Sequence, residues 1–262
     1  MITSPLSSSN IHHKTQNDTL AKANKTPRSS AVSPWFSPLA YFLGRRFLLP
    51  FFFGHIEVTG QENLPTTGPV ILAPTHRSRW DALVVPYAAG RCVTGRDLQF
   101  MVTIDECQGL QGWLIRQMGG FPVDPKHPSI NTLRHAVKIL HDREMLVIFP
   151  EGGIHKGKLH PLKPGIARLA LSAESSYPDL GVKIVPIGIN YSQPYPSWGT
   201  DVNIHIGTPI KVSDYASGCL KQDAQRLTTD LAKGLQKLSH HESEILNNRS
   251  LQSSSFRHGI RT

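Results

Sequence analysis

The sequence predicts an α/β fold, a mostly parallel sheet flanked by helices, with an N-terminal membrane-interface helical segment ahead of it. Three observations carry that reading. From His55 to Leu238, short β-branched runs alternate with segments that repeat apolar residues at helical spacing, the pattern of strands joined by crossover helices. Two of those runs, Val70 to Ala73 and Leu146 to Phe149, stop at Pro74 and Pro150 and give way at once to polar or glycine residues. In open α/β sheets, ligands collect beyond the carboxyl ends of the strands. Ahead of the alternation, Trp35 to Phe53 is dense in aromatic residues and leucine around Arg45-Arg46.

Residues 1 to 33 are rich in Ser, Thr, Asn and Lys and have no apolar periodicity, so they read as a disordered tail. Their basic, Ser-rich, acid-poor make-up is also that of an organelle transit peptide. Residues 34 to 54 form the next unit. Their length suggests a membrane span, but two arginines fall mid-segment and Pro38 and Pro50 interrupt it. An aromatic and leucine face beside two cations fits a helix lying in the membrane interface, with a core-packing helix as the alternative.

Residues 55 to 240 hold the domain. Ile56 to Val58 reads as a strand turned by Gly60, Val70 to Ala73 as a buried strand, and Ser78 with Asp81 as an N-cap and N3 pair opening a helix over Asp81 to Val85. Leu98 to Thr103 is a further strand, and Leu110 to Met118 a helix ended by Gly119-Gly120. Leu133 to Leu140 repeats at helical spacing. Met145 to Phe149 is a strand, Ile166 to Leu171 a helix, Lys183 to Ile189 and Val202 to Ile206 strands, and Ala224 to Leu238 a closing helix. Pro186 within a strand fits an edge or a strand start. Residues 241 to 262 are polar and read as a second disordered tail.

The formal net charge is +9, which suits an anionic partner such as a phosphorylated metabolite, an acidic carrier protein or a membrane surface. Zinc-finger spacing, RNP-like aromatic strings and basic repeats are missing, so the sequence supports no nucleic-acid partner. Three scattered cysteines point to a reducing compartment and away from a disulfide framework or a metal site.

His76 follows the strand at Val70 to Ala73, and Asp81 stands in the first turn of the helix after it. On one continuous helix the two would lie roughly 140° apart, so they meet only if His76 sits in the loop. A carboxylate on one imidazole nitrogen fixes the tautomer and leaves the other nitrogen as a base. Spacing alone also allows a surface histidine beside an ordinary capping box, as His13 and Asp18 share the spacing by accident. After the strand ending at Phe149, Pro150-Glu151-Gly152-Gly153 offers backbone close approach and amide groups for an anion, with Glu151 placed to bind hydroxyls; a tight turn with a solvated Glu is the alternative. Lys163-Pro164-Gly165 and Arg168 bring cations to a helix start, against the macrodipole, with a solvated basic face as the alternative.

In this order the pieces resemble the glycerolipid acyltransferase family, whose bacterial type member is the lysophosphatidic acid acyltransferase. His76 and Asp81 match its His-x4-Asp block, Gly119 to Asp124 its second block, Phe149-Pro150-Glu151-Gly152 its third and Val185-Pro186-Ile187 its fourth. The resemblance implies an enzyme that moves a fatty acyl group from an acyl thioester, acyl-CoA or acyl carrier protein, to the free hydroxyl of a lysophospholipid, with 1-acylglycerol-3-phosphate giving phosphatidate as the leading acceptor. It implies His76 as general base oriented by Asp81, no acyl-enzyme, no cofactor and no metal. It also implies a membrane-associated protein, peripheral or monotopic, facing the cytoplasm.

Two departures bear on the acceptor. The family usually has Arg after the Asp of block two, where this chain has Pro125 and then Lys126. Block three often continues with Thr-Arg, where Gly153 and Ile154 stand here, followed by His155 and Lys156. Either Lys126, Lys156, Lys163 or Arg168 holds the phosphate, or the acceptor is a lysolipid without it. A non-catalytic lipid- or carrier-binding protein on the same scaffold, or a thioester hydrolase using water, are the readings from other classes.

Overall fold

A computed structural model describes residues 32–33, 35–124 and 127–258, with side chains as far as residue 239. Most of the tail expected over 1 to 33 lies outside the described residues, as does Lys126.

The N-terminal segment is helical in three pieces: α1 (Phe36–Leu43), a π-helical turn (Gly44–Leu48) and α2 (Leu49–Phe52). Pro50 cannot donate to the carbonyl one α-turn back, and the wider turn just before it accommodates that loss, with the Leu49 amide reaching Gly44 O instead. Tyr41, Leu49 and Phe53 are buried against the domain. Arg45 turns inward as well, donating to the Tyr87 carbonyl at 2.5 Å with its guanidinium over the Tyr87 ring.

Then come β1 (Ile56–Thr59), β2 (Val70–Pro74), α3 (Asp81–Ala89), α4 (Arg91–Thr94), β3 (Leu98–Thr103), α5 (Gly109–Gln117) and β4 (Gly120–Val123). They are followed by α6 (Ile130–His141), β5 (Met145–Val147), α7 (Gly165–Ser176), β6 (Lys183–Tyr191), β7 (Val202–Ile206), β8 (Ile210–Lys211) and α8 (Leu220–His258). The strands form one sheet in the order β1-β7-β6-β2-β5-β3-β4, with β8 paired to β6. From β6 to β4 every neighbouring pair is parallel; β7 runs against β6, and β1 runs with β7. The expected α/β architecture with a mostly parallel sheet is what the chain adopts.

β2 is central, and all its residues are buried. A strand covered on both faces needs no polar alternation, which is why Val70-Ile71-Leu72-Ala73 is uniformly apolar. Ile71 and Ala73 face a core completed by Leu140, Ile166, Ala170, Leu227 and Leu231 from α6, α7 and α8. Val70 and Leu72 face the opposite core, where Val84, Val85 and Ala88 of α3 meet Leu49 and Phe53 of the N-terminal segment.

Several boundaries differ from those the sequence suggests. Pro186 is neither on an edge nor at a strand start. Its carbonyl accepts from Gly207 on the side where β6 changes partner, pairing with β8 at Lys183 and Ile184 and with β7 from Ile187 onward, so no ladder donor is missed. β6 continues past Ile189 to Tyr191. α8 starts before Ala224 and its backbone stays helical to His258, into the stretch expected to be a tail; no Gly or Pro interrupts residues 235 to 258.

Candidate active site

β2 hands the chain to the site through Thr75. Its amide donates to Ile187 O at 2.9 Å, and its hydroxyl accepts from Ile189 N at 2.9 Å and donates to Ile189 O at 3.3 Å, so the loop leaves the sheet at a fixed point. His76, half-buried, stacks its ring on Phe149, which lies two residues past β5 rather than in the strand expected to reach it, with centroids 4.0 Å apart and planes at 22°. Its Nδ1 lies 2.9 Å from Asp81 Oδ2.

Asp81 is the first residue of α3, where a negative charge meets the positive end of the helix dipole. It has no solvent exposure. Oδ2 accepts from His76 and also from the amides of Arg77 at 2.6 Å and Ser78 at 2.9 Å, while Oδ1 accepts from the Tyr191 hydroxyl at 2.7 Å. The expected N-cap moves as a result. Ser78 Oγ accepts from Trp80 N rather than from an amide of the first helical turn, and Asp81 folds its carboxylate back over the loop. The tautomer that donates from Nδ1 to Asp81 leaves Nε2 as the ring's acceptor nitrogen.

Glu151 does not sit where its sequence context suggests. Its side chain is fully buried and faces the His76 loop, accepting from His76 N at 3.0 Å, from Arg77 Nη1 at 3.0 and 3.1 Å, and from His160 N at 2.8 Å. Both oxygens are committed, which leaves no acceptor for a substrate hydroxyl. The residue fastens two loops together instead. The same loops are tied by His155 N donating to His76 O and Arg77 Nη1 donating to His155 O, each at 2.8 Å.

Gly152 has φ +71°, and a Cβ there would fall 2.5 Å from Lys163 Cε and 2.6 Å from its Nζ. Glycine is needed for the backbone conformation, while the space beside it is taken by the flexible end of Lys163, which lies across the turn. Gly153 borders His155, whose ring stacks on His160 with centroids 3.8 Å apart. Lys156 is drawn to the β6–β7 loop, its Nζ 3.0 Å from the Tyr195 ring centroid. Arg168 is exposed on α7, and its side chain forms no hydrogen bond or ion pair among the described residues. His76, Asp81, Glu151, Gly152, Gly153 and Lys163 thus come together at the carboxyl ends of β2 and β5.

Two residues of this cluster escape a reading of the sequence. Arg77 lies inside the His76 block, but its partner is 74 residues away. Tyr191 lies 110 residues from Asp81. Its one signal is parity: it falls on the same strand face as Ile187 and Ile189. Burial first, and the Asp81 charge second, push the Tyr191 phenol well above its ordinary range.

The end of the N-terminal segment adjoins the site. Phe52 stacks on Trp80 at 4.2 Å, and Phe53 packs on Tyr191 at 6.0 Å. Leu39, Phe42, Leu43, Phe47 and Phe51 recur at helical spacing with 46 to 69% of their surface exposed. Leu43, Phe47 and Phe51, with Arg46, Leu48 and Pro50, line an open depression. Among the described residues no helix is long and apolar enough to cross a membrane.

A family model described as Acyltransferase matches residues 55–190. Glycerol-3-phosphate O-acyltransferase 1 of Saccharomyces cerevisiae is 39% identical over 99 residues, 35% of this chain and 13% of that protein. The 1-acyl-sn-glycerol-3-phosphate acyltransferase of Streptococcus pneumoniae is 28% identical over 152 residues, 55% of this chain and 51% of its own length. The Bacillus subtilis protein of the same name is 23% identical over 199 residues, covering 73% of this chain and 92% of that protein. The chain therefore spans about half of the pneumococcal relative and a small part of the yeast one. The crystal structure of the 1-acyl-sn-glycerophosphate (LPA) acyltransferase from Thermotoga maritima shares the fold, with a TM-score of 0.62 at 18% identity over 88% of this chain and 89% of that one.

Proposed function

This chain belongs to the acyltransferase family, and on that premise we propose that it transfers a fatty acyl group from an acyl thioester, acyl-CoA or acyl carrier protein, to the free hydroxyl of a lysophospholipid. The leading acceptor is 1-acylglycerol-3-phosphate, giving phosphatidate; the pneumococcal and Bacillus relatives carry names for that reaction.

One observation carries the chemistry: His76 Nδ1 is held at 2.9 Å by a carboxylate that is itself immobilised at both oxygens. Nε2 takes the proton of the acceptor hydroxyl as its oxygen attacks the thioester carbonyl, forming the new C–O bond. Collapse of the tetrahedral adduct breaks the C–S bond, and the imidazolium returns its proton to the departing sulfur. Asp81 stabilises the imidazolium between the two steps. The acceptor oxygen is the nucleophile, so no acyl-enzyme forms.

The protein works on a membrane surface, facing the cytoplasm. Exposed Phe42, Phe47 and Phe51 supply an apolar face, and Arg46 beside them supplies a cation for lipid phosphates. Lys163, whose chain lies across the glycine turn, takes the acceptor phosphate. Gly153 and Ile154, standing where relatives often carry Thr-Arg, favour a lysolipid without phosphate as the second reading. Product formation from one acyl thioester against a panel of lysolipids, with and without a phosphate, separates the two. Turnover in that assay also excludes a purely binding role.

A further inference from the structure

We propose that Tyr191 is a positioning residue of the His76–Asp81 pair, its hydroxyl anchoring the carboxylate oxygen that the His76 loop leaves open so that the other oxygen stays in line with Nδ1. The role rests on the acyl-transfer reading given above and extends it to a residue outside the motif blocks.

The geometry of Asp81 is asymmetric. Oδ2 receives three donors, His76 Nδ1 and the amides of Arg77 and Ser78, all from the loop that carries the histidine. Oδ1 receives one donor, Tyr191, from the sheet. Donors that belong to one loop move with that loop and cannot by themselves hold the carboxylate against the scaffold. Tyr191 can, because it is paired with Val202 at the end of β6, inside the sheet.

The ring is held too. Phe53 packs on it with centroids 6.0 Å apart and planes at 31°, and the hydroxyl then reaches Asp81 at 2.7 Å. Burial and the neighbouring carboxylate favour the protonated phenol, so the group stays a donor through neutral and mildly alkaline pH. Its bond is to the oxygen that does not face His76, so it acts on the base through Asp81. With Asp81 fully buried, losing this donor leaves an acceptor that no solvent replaces.

The test is Tyr191→Phe, which keeps the ring against Phe53 and removes only the donor. The expected result is a fall in kcat of about ten- to a hundredfold, the range for partners that orient a reacting group, with KM for both substrates little changed. In ¹⁵N-histidine-labelled protein without substrate, the His76 Nδ1–H resonance is expected to move. Wild-type kcat with an unmoved resonance overturns the proposal, and so does a lower unfolding midpoint accompanied by neither change. The resonance reads the pair whatever reaction it serves. If acyl transfer is absent altogether, a moved resonance still supports the positioning role and an unmoved one still removes it. If Tyr191→Phe is too unstable to purify, 3-fluorotyrosine at position 191 gives a stronger donor on nearly the same ring. It is expected to displace the resonance, and no displacement overturns the proposal.

Discussion

Arg77 places one guanidinium nitrogen 3.0 and 3.1 Å from the two carboxylate oxygens of Glu151, with 7% of the arginine side chain and none of the glutamate side chain exposed. The pair joins the loop that carries His76 to the turn that follows β5. A buried pair of this kind adds little over well-packed apolar residues, but removing one partner strands the other charge. Arg77→Met is therefore expected to lower unfolding free energy by about 3–5 kcal/mol. Adding Glu151→Gln to it should recover part of the loss. Urea unfolding of the single and double variants checks this; equal loss in both would mean that the pair is not the cause.

Lys163 crosses Gly152, the turn nearest His76. If its ammonium takes the acceptor phosphate, Lys163→Met raises KM for a phosphate-bearing lysolipid by about tenfold, the loss of one charge-assisted contact. It should leave KM for an uncharged lysolipid unchanged. Steady-state kinetics on the two acceptors decide it, and an equal rise for both would assign Lys163 to the fold of the turn.

Phe42 and Phe47 meet edge to face at 6.0 Å and are 56% and 58% exposed. Changing both to Ser costs the fold less than a core substitution would, because more than half of each residue is already exposed. Partition to anionic vesicles, measured by sedimentation, is expected to weaken about tenfold or more, given about 25 cal/mol per Å² of apolar surface removed from water. Unchanged partition would take the N-terminal segment out of the membrane account.

His135 packs edge-on against Phe121, and burial, then Lys138, push its pKa below the ordinary 6.5. The folded state thus prefers the neutral ring. The unfolded chain takes up the proton first as pH falls, so this contribution is complete above about 6.5 and is lost as pH drops toward the folded value. The unfolding midpoint of the native chain should fall more steeply between pH 7 and 5.5 than that of His135→Gln. Parallel slopes would show that His135 is not the group responsible.

What the sequence made legible was what is local in it. The strand at Val70 to Ala73, the loop at His76 and the helix at Asp81 lie within a dozen residues, and strand periodicity, a proline stop and a carboxylate in the first turn are enough to bring His76 and Asp81 within bonding distance. Glu151 was legible as a site residue but not in its part. Its position after a strand suggested substrate, while its real partner is an arginine on another strand's loop, and no local pattern records that distance. Tyr191 was invisible for the same reason, compounded by ending β6 two residues early. Pro186 misled because a proline in a strand signals an edge, unless the ladder changes partner at that residue.

The base assigned to residue 76 is tested most directly by following product from one acyl thioester and 1-acylglycerol-3-phosphate with the native chain and with His76→Ala. The native chain is predicted to form phosphatidate only when the acceptor is present; His76→Ala is predicted to bind lipid and form none. An active His76→Ala, or thioester loss that is the same with and without acceptor, would contradict it.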